Sequence, residues 1–319
     1  MSERVLKLQD PIFSDPDAAR EYLEQLRWPD GKPVCPHCGQ SERECYPLKG
    51  KSVRPGLWKC PACRKQFTVT VGTIFQGSHI KLNVWLLAFH LLCSSKKGFS
   101  ALQLSRNLGV SLKTAWHMAH RIRWAMAEPS FADQLTGTVE ADETYVGGKA
   151  RRPNKKPFAP LNPNVPDRRR KKTGRGTDKT PVMLLVERGG RARSFRVANV
   201  TAETLGGQIR IHVDPSAHLR TDSFKSYIKV GREYASHETV DHNYEYVRGD
   251  AHTNTAENYF SILKRGINGV YHHVSPEHLP RYLAEFDFRY NARHLTDTER
   301  TNLALSQTEG KRLMYRDSR

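Results

Sequence analysis

Four cysteines constrain this chain more tightly than any other feature. They read Cys35-x2-Cys38-x21-Cys60-x2-Cys63, in the knuckles CPHCG and CPAC. A Cys-Pro-x-Cys turn points both sulfurs of a pair to one side, so two such turns present four thiolates to one tetrahedral Zn²⁺. LWKC before the second knuckle and RKQFTVTVGT after it read as short strands, and a loop absorbs the rather long central gap. The spacing therefore predicts a zinc ribbon over 31–78 with a structural Zn²⁺. Cys45 and Cys93 lack such a pairing and read as plain buried residues. Thiols used as ligands fit a reducing compartment. The N-terminus, MSERVLKLQDPIF, has no apolar signal core, and the run Val84 to Cys93 falls short of the roughly 18–20 residues that cross a bilayer. The expectation is a soluble, cytoplasmic protein without a membrane role.

The segments around the ribbon are helical. SDPDAAREYLEQLRW, in an N-terminal segment 1–30, offers Ser14 and Asp15 as caps. From 79 to 128 the apolar period is 3.6: VWLLAFHLL forms one helix, and two more flank Leu108-Gly109-Val110, with Ser111 as the N-cap of the last. That pattern predicts a helix-turn-helix, with an ordinary helical hairpin as the competing reading. The polar side of its second helix carries Lys113, Thr114, His117, His120, Arg121 and Arg123; Lys113, Thr114, His117 and Arg121 are the candidates for DNA contact. Lysine and arginine number 51 against 33 acids, a formal charge of +18, which calls for a polyanion such as nucleic acid. Much of that charge lies in 149–179, which holds twelve lysines and arginines, among them Arg168, Arg169, Arg170, Lys171 and Lys172, with five prolines and two acids. Such a stretch buries no core and reads as a mobile loop that grips phosphate without sequence preference. Its GRGTDKT is not a phosphate-binding P-loop, because Asp178 stands where glycine is needed.

After Pro129 the texture turns to strands. GTVEADETYVGG, TPVMLLVERG and RARSFRVANV read as three strands, TAETLGGQIRIHV as a helix and AHLRTDS as a further strand. The class is α/β, in a domain over 129–300 followed by a tail, 301–319. TNTAENYFSILKRG, 253–266, then forms an amphipathic helix. Asn254, Glu257, Ser261 and Lys264 share an arc of roughly 80° opposite Ala256, Tyr259, Phe260, Ile262 and Leu263. In VSPEHLPRYLAEFDFRYN, Leu279, Tyr282, Leu283, Phe286 and Tyr290 recur at helical spacing as a core stripe against the sheet, which leaves Arg289 and Arg293 to reach DNA. Phosphodiester chemistry without an organic cofactor is commonly done by two divalent ions held by carboxylates from separate elements. Asp142 in the first strand, Asp222 at the end of a later one and Glu257 on the amphipathic helix are the candidates.

The ribbon, the helix-turn-helix, VEADETYVGGK, LRTDSFKSY and HTNTAENYFSILKRGINGVYHHVSPEHLPRYLAEFDFRYN together resemble insertion-sequence transposases of the zinc-ribbon, ISXO-two-like kind, over about residues 15 to 310. The resemblance implies a ribonuclease-H-like catalytic domain of the DDE type that acts on double-stranded DNA, at terminal inverted repeats and at a target, with Mg²⁺ or Mn²⁺. It also implies a dimer or larger assembly on DNA. Matched to it, Asp142 and Asp222 are the first and second acids and Lys264 the downstream lysine, with Arg265 beside it on DNA. The third position varies in such families, and AEN offers Glu257 and Asn258. Glu257 lies about 20° from Lys264 in projection and Asn258 about 120°, so Glu257 is the better-aimed ligand, with Asn258 and Asn254 in reserve. A regulator without chemistry and a nuclease on the same fold are the alternatives.

Overall fold

In a computed structural model of the chain, residues 5–39, 43–127, 133–147, 177, 179–240 and 252–318 are described. Helix α1 (Pro16–Arg27) starts at Asp15, whose carboxylate accepts from the backbone N–H groups of Asp17 and Ala18. Three two-residue strands follow, β1 (Tyr46–Pro47), β2 (Trp58–Lys59) and β3 (Gln66–Phe67), in an antiparallel sheet of order β1-β2-β3. Next come α2 (Leu82–Ser94), α3 (Ala101–Leu108) and α4 (Leu112–Met126). α3 ends on Gly109 at φ 65°, a left-handed cap natural to glycine. α4 begins on Ser111, whose side chain accepts from Thr114 N–H at 3.1 Å. α2 is apolar almost all round, with Trp85, Leu86, Ala88, Phe89, Leu92 and Cys93 buried, as suits the central helix of a bundle.

The second half of the chain builds a five-stranded mixed sheet. β4 (Thr138–Val146), β5 (Thr180–Glu187) and β6 (Ala192–Arg196) form an antiparallel meander; α5 (Ala202–His212) crosses to β7 (His218–Asp222), and α6 (Lys225–Gly231) to β8 (Ser236–Val240). The order is β6-β5-β4-β7-β8, with β7 parallel to both β4 and β8. Val139 and Ala141 of β4, Met183 and Leu185 of β5, Leu205 and Ile209 of α5, and Tyr227 and Val230 of α6 share one core. Helix α7 (Asn254–Gly266) turns Ala256, Tyr259, Phe260 and Leu263 inward and packs on β4 and β5, while Ile262, expected on the same apolar side, is exposed at the edge of that stripe. Side chains alternate across a strand, so α7 covers the face opposite to α5 and α6. Helices α8 (Leu279–Asn291) and α9 (Asp297–Ser306) complete the chain.

The chain divides into two units, 1–130 with 284–319 and 131–283. Residues 284–300, read from sequence as the end of the catalytic domain, and the tail 301–319 both belong with the N-terminal elements. The reason is visible in the packing of that unit: Phe288, Ala304 and Leu305 join its core, and His90 on α2 meets Thr301 on α9. Lys311 donates to the carbonyl oxygens of Ala125 and Ala127, which closes the end of α4. Arg289 does not reach outward. It is buried, donating to Leu92 O and to the fully buried carboxylate of Glu285, which Arg123 meets from the other side at 2.6 Å.

Candidate active site and metal clusters

The two cysteine knuckles converge. Cys35 and Cys63 lie 3.6 Å apart, Cys38 and Cys60 3.8 Å, and all four sulfurs are within 4.8 Å of one another. A Zn–S bond of about 2.3 Å gives a tetrahedral edge of about 3.8 Å, so the donor set and its spacing fit Zn²⁺. Backbone N–H groups of Cys63 and Ala62 help pull the Cys60 thiol down to about 6, toward the thiolate a metal needs. Cys45 is buried beside Cys60, and burial pushes its thiol up to about 11; burial likewise pushes Cys93 up to about 12.

The sheet brings two of the sequence's carboxylates together. Ala141 pairs with Thr221, the last pair in the β4–β7 register, so Asp142 stands where β7 ends in Asp222. Asp142 is mid-strand in β4, yet it faces the carboxyl end of the parallel pair because β7 stops there. In open α/β sheets that crevice is where ligands bind. Asp222 also accepts from Phe224 N–H at 3.0 Å, which starts the turn into α6.

A third carboxylate comes from a residue the sequence reading did not single out. Oxygens of Asp142, Glu143 and Asp222 all lie within 4.8 Å of one another. Glu143 emerges on the α6 side, where the fully buried phenol of Tyr227 donates to its Oε2 at 2.7 Å. Burial of that phenol and the Glu143 charge hold Tyr227 well above its ordinary pKa. Adjacent Asp-Glu in DETY was the only available signal, and strand alternation argues against two neighbours sharing a site; the end of β7 lets both reach one rim.

Burial, chiefly, together with the charges of Glu143, Asp222 and Glu257, pushes Asp142 up to about 7, against the opposing Glu143 N–H. Carboxylates crowded together from separate strands are the donor chemistry of a hard divalent cation. Glu257 lies outside the three-carboxylate group but bears electrostatically on Asp142 from the exposed side of α7, where Asn254, Asn258 and Lys264 are also exposed. Lys264 Nζ lies 6.0 Å from the ring centre of Phe260, and Arg265 donates to Ser261 Oγ at 2.8 Å.

The face of α4 is divided. Lys113 is exposed and lies over the ring of Tyr315, 4.8 Å from its centre, while His117 meets the same ring edge-on. Thr114 is half-buried, its hydroxyl 2.8 Å from Ser111 Oγ. Arg121 is buried; its guanidinium donates to Gln76 O at 2.9 Å and stacks over Trp85. Burial pulls its pKa down to about 10. Arg168, Arg169, Arg170, Lys171 and Lys172 lie outside the described residues. Among the described residues, no helix is long and apolar enough to cross a membrane.

Comparisons with known proteins agree with this arrangement. A family model for an ISXO2-like transposase domain matches residues 134–291, and one for a transposase zinc-ribbon domain matches residues 14–66. The chain is 31% identical over 284 residues to an uncharacterized protein in transposable element ISH50 of Halobacterium salinarum, covering 85% of this chain and 89% of that protein. An uncharacterized transposase-like protein of Haemophilus influenzae is 30% identical over 95 residues, 30% of this chain and 76% of its own length. No solved structure matches the chain. A zinc-ribbon cysteine cluster, a mixed α/β sheet with clustered carboxylates, and relatives alike over most of their length place this chain in the ISXO2-like transposase family.

Proposed function

We propose that the chain is a DDE-type transposase that binds terminal inverted repeats, cleaves DNA at the 3′ end of its element and joins the freed hydroxyl to target DNA. The observation that carries this reading is the juxtaposition of Asp142 and Asp222 on neighbouring parallel strands, with Glu257 bearing on Asp142 from α7. The strand order, a three-stranded antiparallel meander extended by two parallel strands, supports reading the sheet as ribonuclease-H-like. The left-handed Gly109 cap between α3 and α4 supports reading the pair as a helix-turn-helix.

Asp142, Asp222 and Glu257 would hold Mg²⁺ or Mn²⁺, with Asn258 and Asn254 as the alternatives on α7. Such a cation supplies Lewis-acid activation of the attacking oxygen and neutralises charge on the leaving one. Burial holds the Asp142 carboxyl up at about 7, so a bound cation would favour its ionised form. Lys264 holds a phosphate beside the scissile bond as a point charge, and Arg265 adds a second contact. Lys113, Thr114 and His117 meet the terminal repeat, and the basic stretch 149–179, Arg168 to Lys172 included, adds contacts to phosphate. The four-cysteine cluster holds structural Zn²⁺. Joining two ends requires at least a dimer on DNA.

The test is a duplex carrying the terminal repeat, incubated with the protein, Mg²⁺ and a target plasmid. Joined product is expected. Cleavage without joining would make the chain a nuclease, and binding without cleavage a regulator; either result overturns the proposal.

A further inference from the structure

Helix α7 carries Glu257, yet it lacks a cap of its own. The side chain of Thr253, its N-cap residue, makes no capping hydrogen bond. The first turn of a helix leaves orphan N–H groups that a nearby side-chain oxygen ordinarily accepts. Here the acceptor comes from the sheet. Glu140 on β4 is fully buried, and its Oε2 accepts from Ala256 N–H at 3.0 Å, the third residue of α7. Its Oε1 accepts from Thr255 Oγ1 at 2.9 Å and from Arg188 Nε at 2.8 Å, with His252 Nδ1 at 3.4 Å. Arg188 also donates to His252 O at 3.0 Å, and its Nη2 lies 3.1 Å from His252 Nδ1, so the same guanidinium secures the approach to the helix.

Glu140 stands two residues before Asp142 on one strand face, and Ala256 stands one residue before Glu257. One carboxylate therefore ties the strand that bears Asp142 to the turn that bears Glu257. A buried charge requires pairing and hydrogen bonds, and a simple strand–helix contact needs neither. We infer that Glu140, with Arg188 as its counter-ion, is a positioning residue: it caps α7 from the sheet and sets Glu257 against Asp142, and it ligates nothing itself. This rests on the reading of Glu257 as a ligand.

A second attachment of α7 serves as the control. Tyr259 OH lies 3.0 Å from Ser194 Oγ on β6, about one turn along α7 from Thr255. Mn²⁺ affinity of the full chain, read from the electron paramagnetic resonance of the free ion, is measured for wild type, Glu140→Gln, Thr255→Val, Glu257→Gln and Tyr259→Phe, each checked as folded by circular dichroism. Supporting partners of metal ligands typically govern affinity by about 10- to 100-fold, and that weakening is expected in Glu140→Gln. Thr255→Val should weaken Mn²⁺ by about fivefold, the worth of one hydrogen bond. Tyr259→Phe should lose thermal stability and keep its Mn²⁺ affinity. If Glu140→Gln, or Thr255→Val should Glu140→Gln not fold, binds Mn²⁺ as wild type does while Glu257→Gln binds it weakly, the positioning role is overturned and the ligand reading stands. Weakening in Tyr259→Phe equal to that in Glu140→Gln would also overturn it, since any loosening of α7 would then suffice. Unchanged Mn²⁺ affinity in Glu257→Gln would instead remove the ligand reading.

Discussion

Glu285 is the residue whose loss should damage the N-terminal unit most. It is fully buried between Arg123 and Arg289, themselves almost fully buried, at 2.6 Å from the former and in short contact with the latter. The triad joins α4 to α8 and carries one net positive charge. Glu285→Gln takes the carboxylate away from two guanidiniums held in a dry environment. Breaking a buried ion pair by removing one partner costs about 3–5 kcal/mol. For a unit of this size each kcal/mol moves the melting temperature by about 2–4 °C, so a drop of roughly 6–20 °C is expected by circular dichroism or calorimetry. Removing the whole triad, as Arg123→Met, Glu285→Leu and Arg289→Met, should recover most of the loss, because apolar replacements of a buried triad are often neutral or better. A Glu285→Gln protein that melts within 2 °C of wild type would refute the reasoning, as would a triple variant no better than the single one.

Stability of the metal-free protein should depend on pH through Asp142. A carboxyl raised from 3.8 to about 7 contributes stability that is present below about pH 4 and lost as pH rises through 7, an upper limit of about 4 kcal/mol. The difference in urea stability between wild type and Asp142→Asn should therefore shift against wild type over that range, and a flat difference would contradict the assignment. Zinc analysis should find about one Zn²⁺ per chain, lost in Cys35→Ser, Cys38→Ser together with the ribbon's fold; a metal-free protein with an intact ribbon would contradict it. Gly109→Ala should cost about 1 kcal/mol, because φ 65° strains any Cβ, even though open space surrounds the position; an unchanged unfolding midpoint would count against that turn.

Local chemistry was legible in the sequence wherever a short spacing or a period carried it. The four cysteines, the Asp15 and Ser111 caps, the Gly109 turn and the strands bearing Asp142 and Asp222 all lie where spacing and alternation put them. What the sequence concealed depends on partners far along the chain. Glu140 reads as one more acid in a strand, and its role appears only when Ala256 and Arg188 come to it across more than a hundred residues in one case and about fifty in the other. Glu143 required the end of β7 and the phenol of Tyr227. Arg121 and Arg289 have the composition of a basic DNA-facing surface, and tertiary packing spends both inside the N-terminal unit. Strands β1 and β8 are short and polar enough to carry little period-2 signal.

As proposed, Asp142 and Asp222 form one metal-dependent site for DNA cleavage. Single-turnover cleavage of a duplex carrying the terminal repeat, followed as a function of Mg²⁺ for wild type, Asp142→Asn and Asp222→Asn, tests it most directly. Wild type should nick the 3′ end of the repeat in a Mg²⁺-dependent way and neither variant should, with the duplex still bound by all three. Wild-type nicking rates in Asp142→Asn or Asp222→Asn at saturating Mg²⁺ would contradict it.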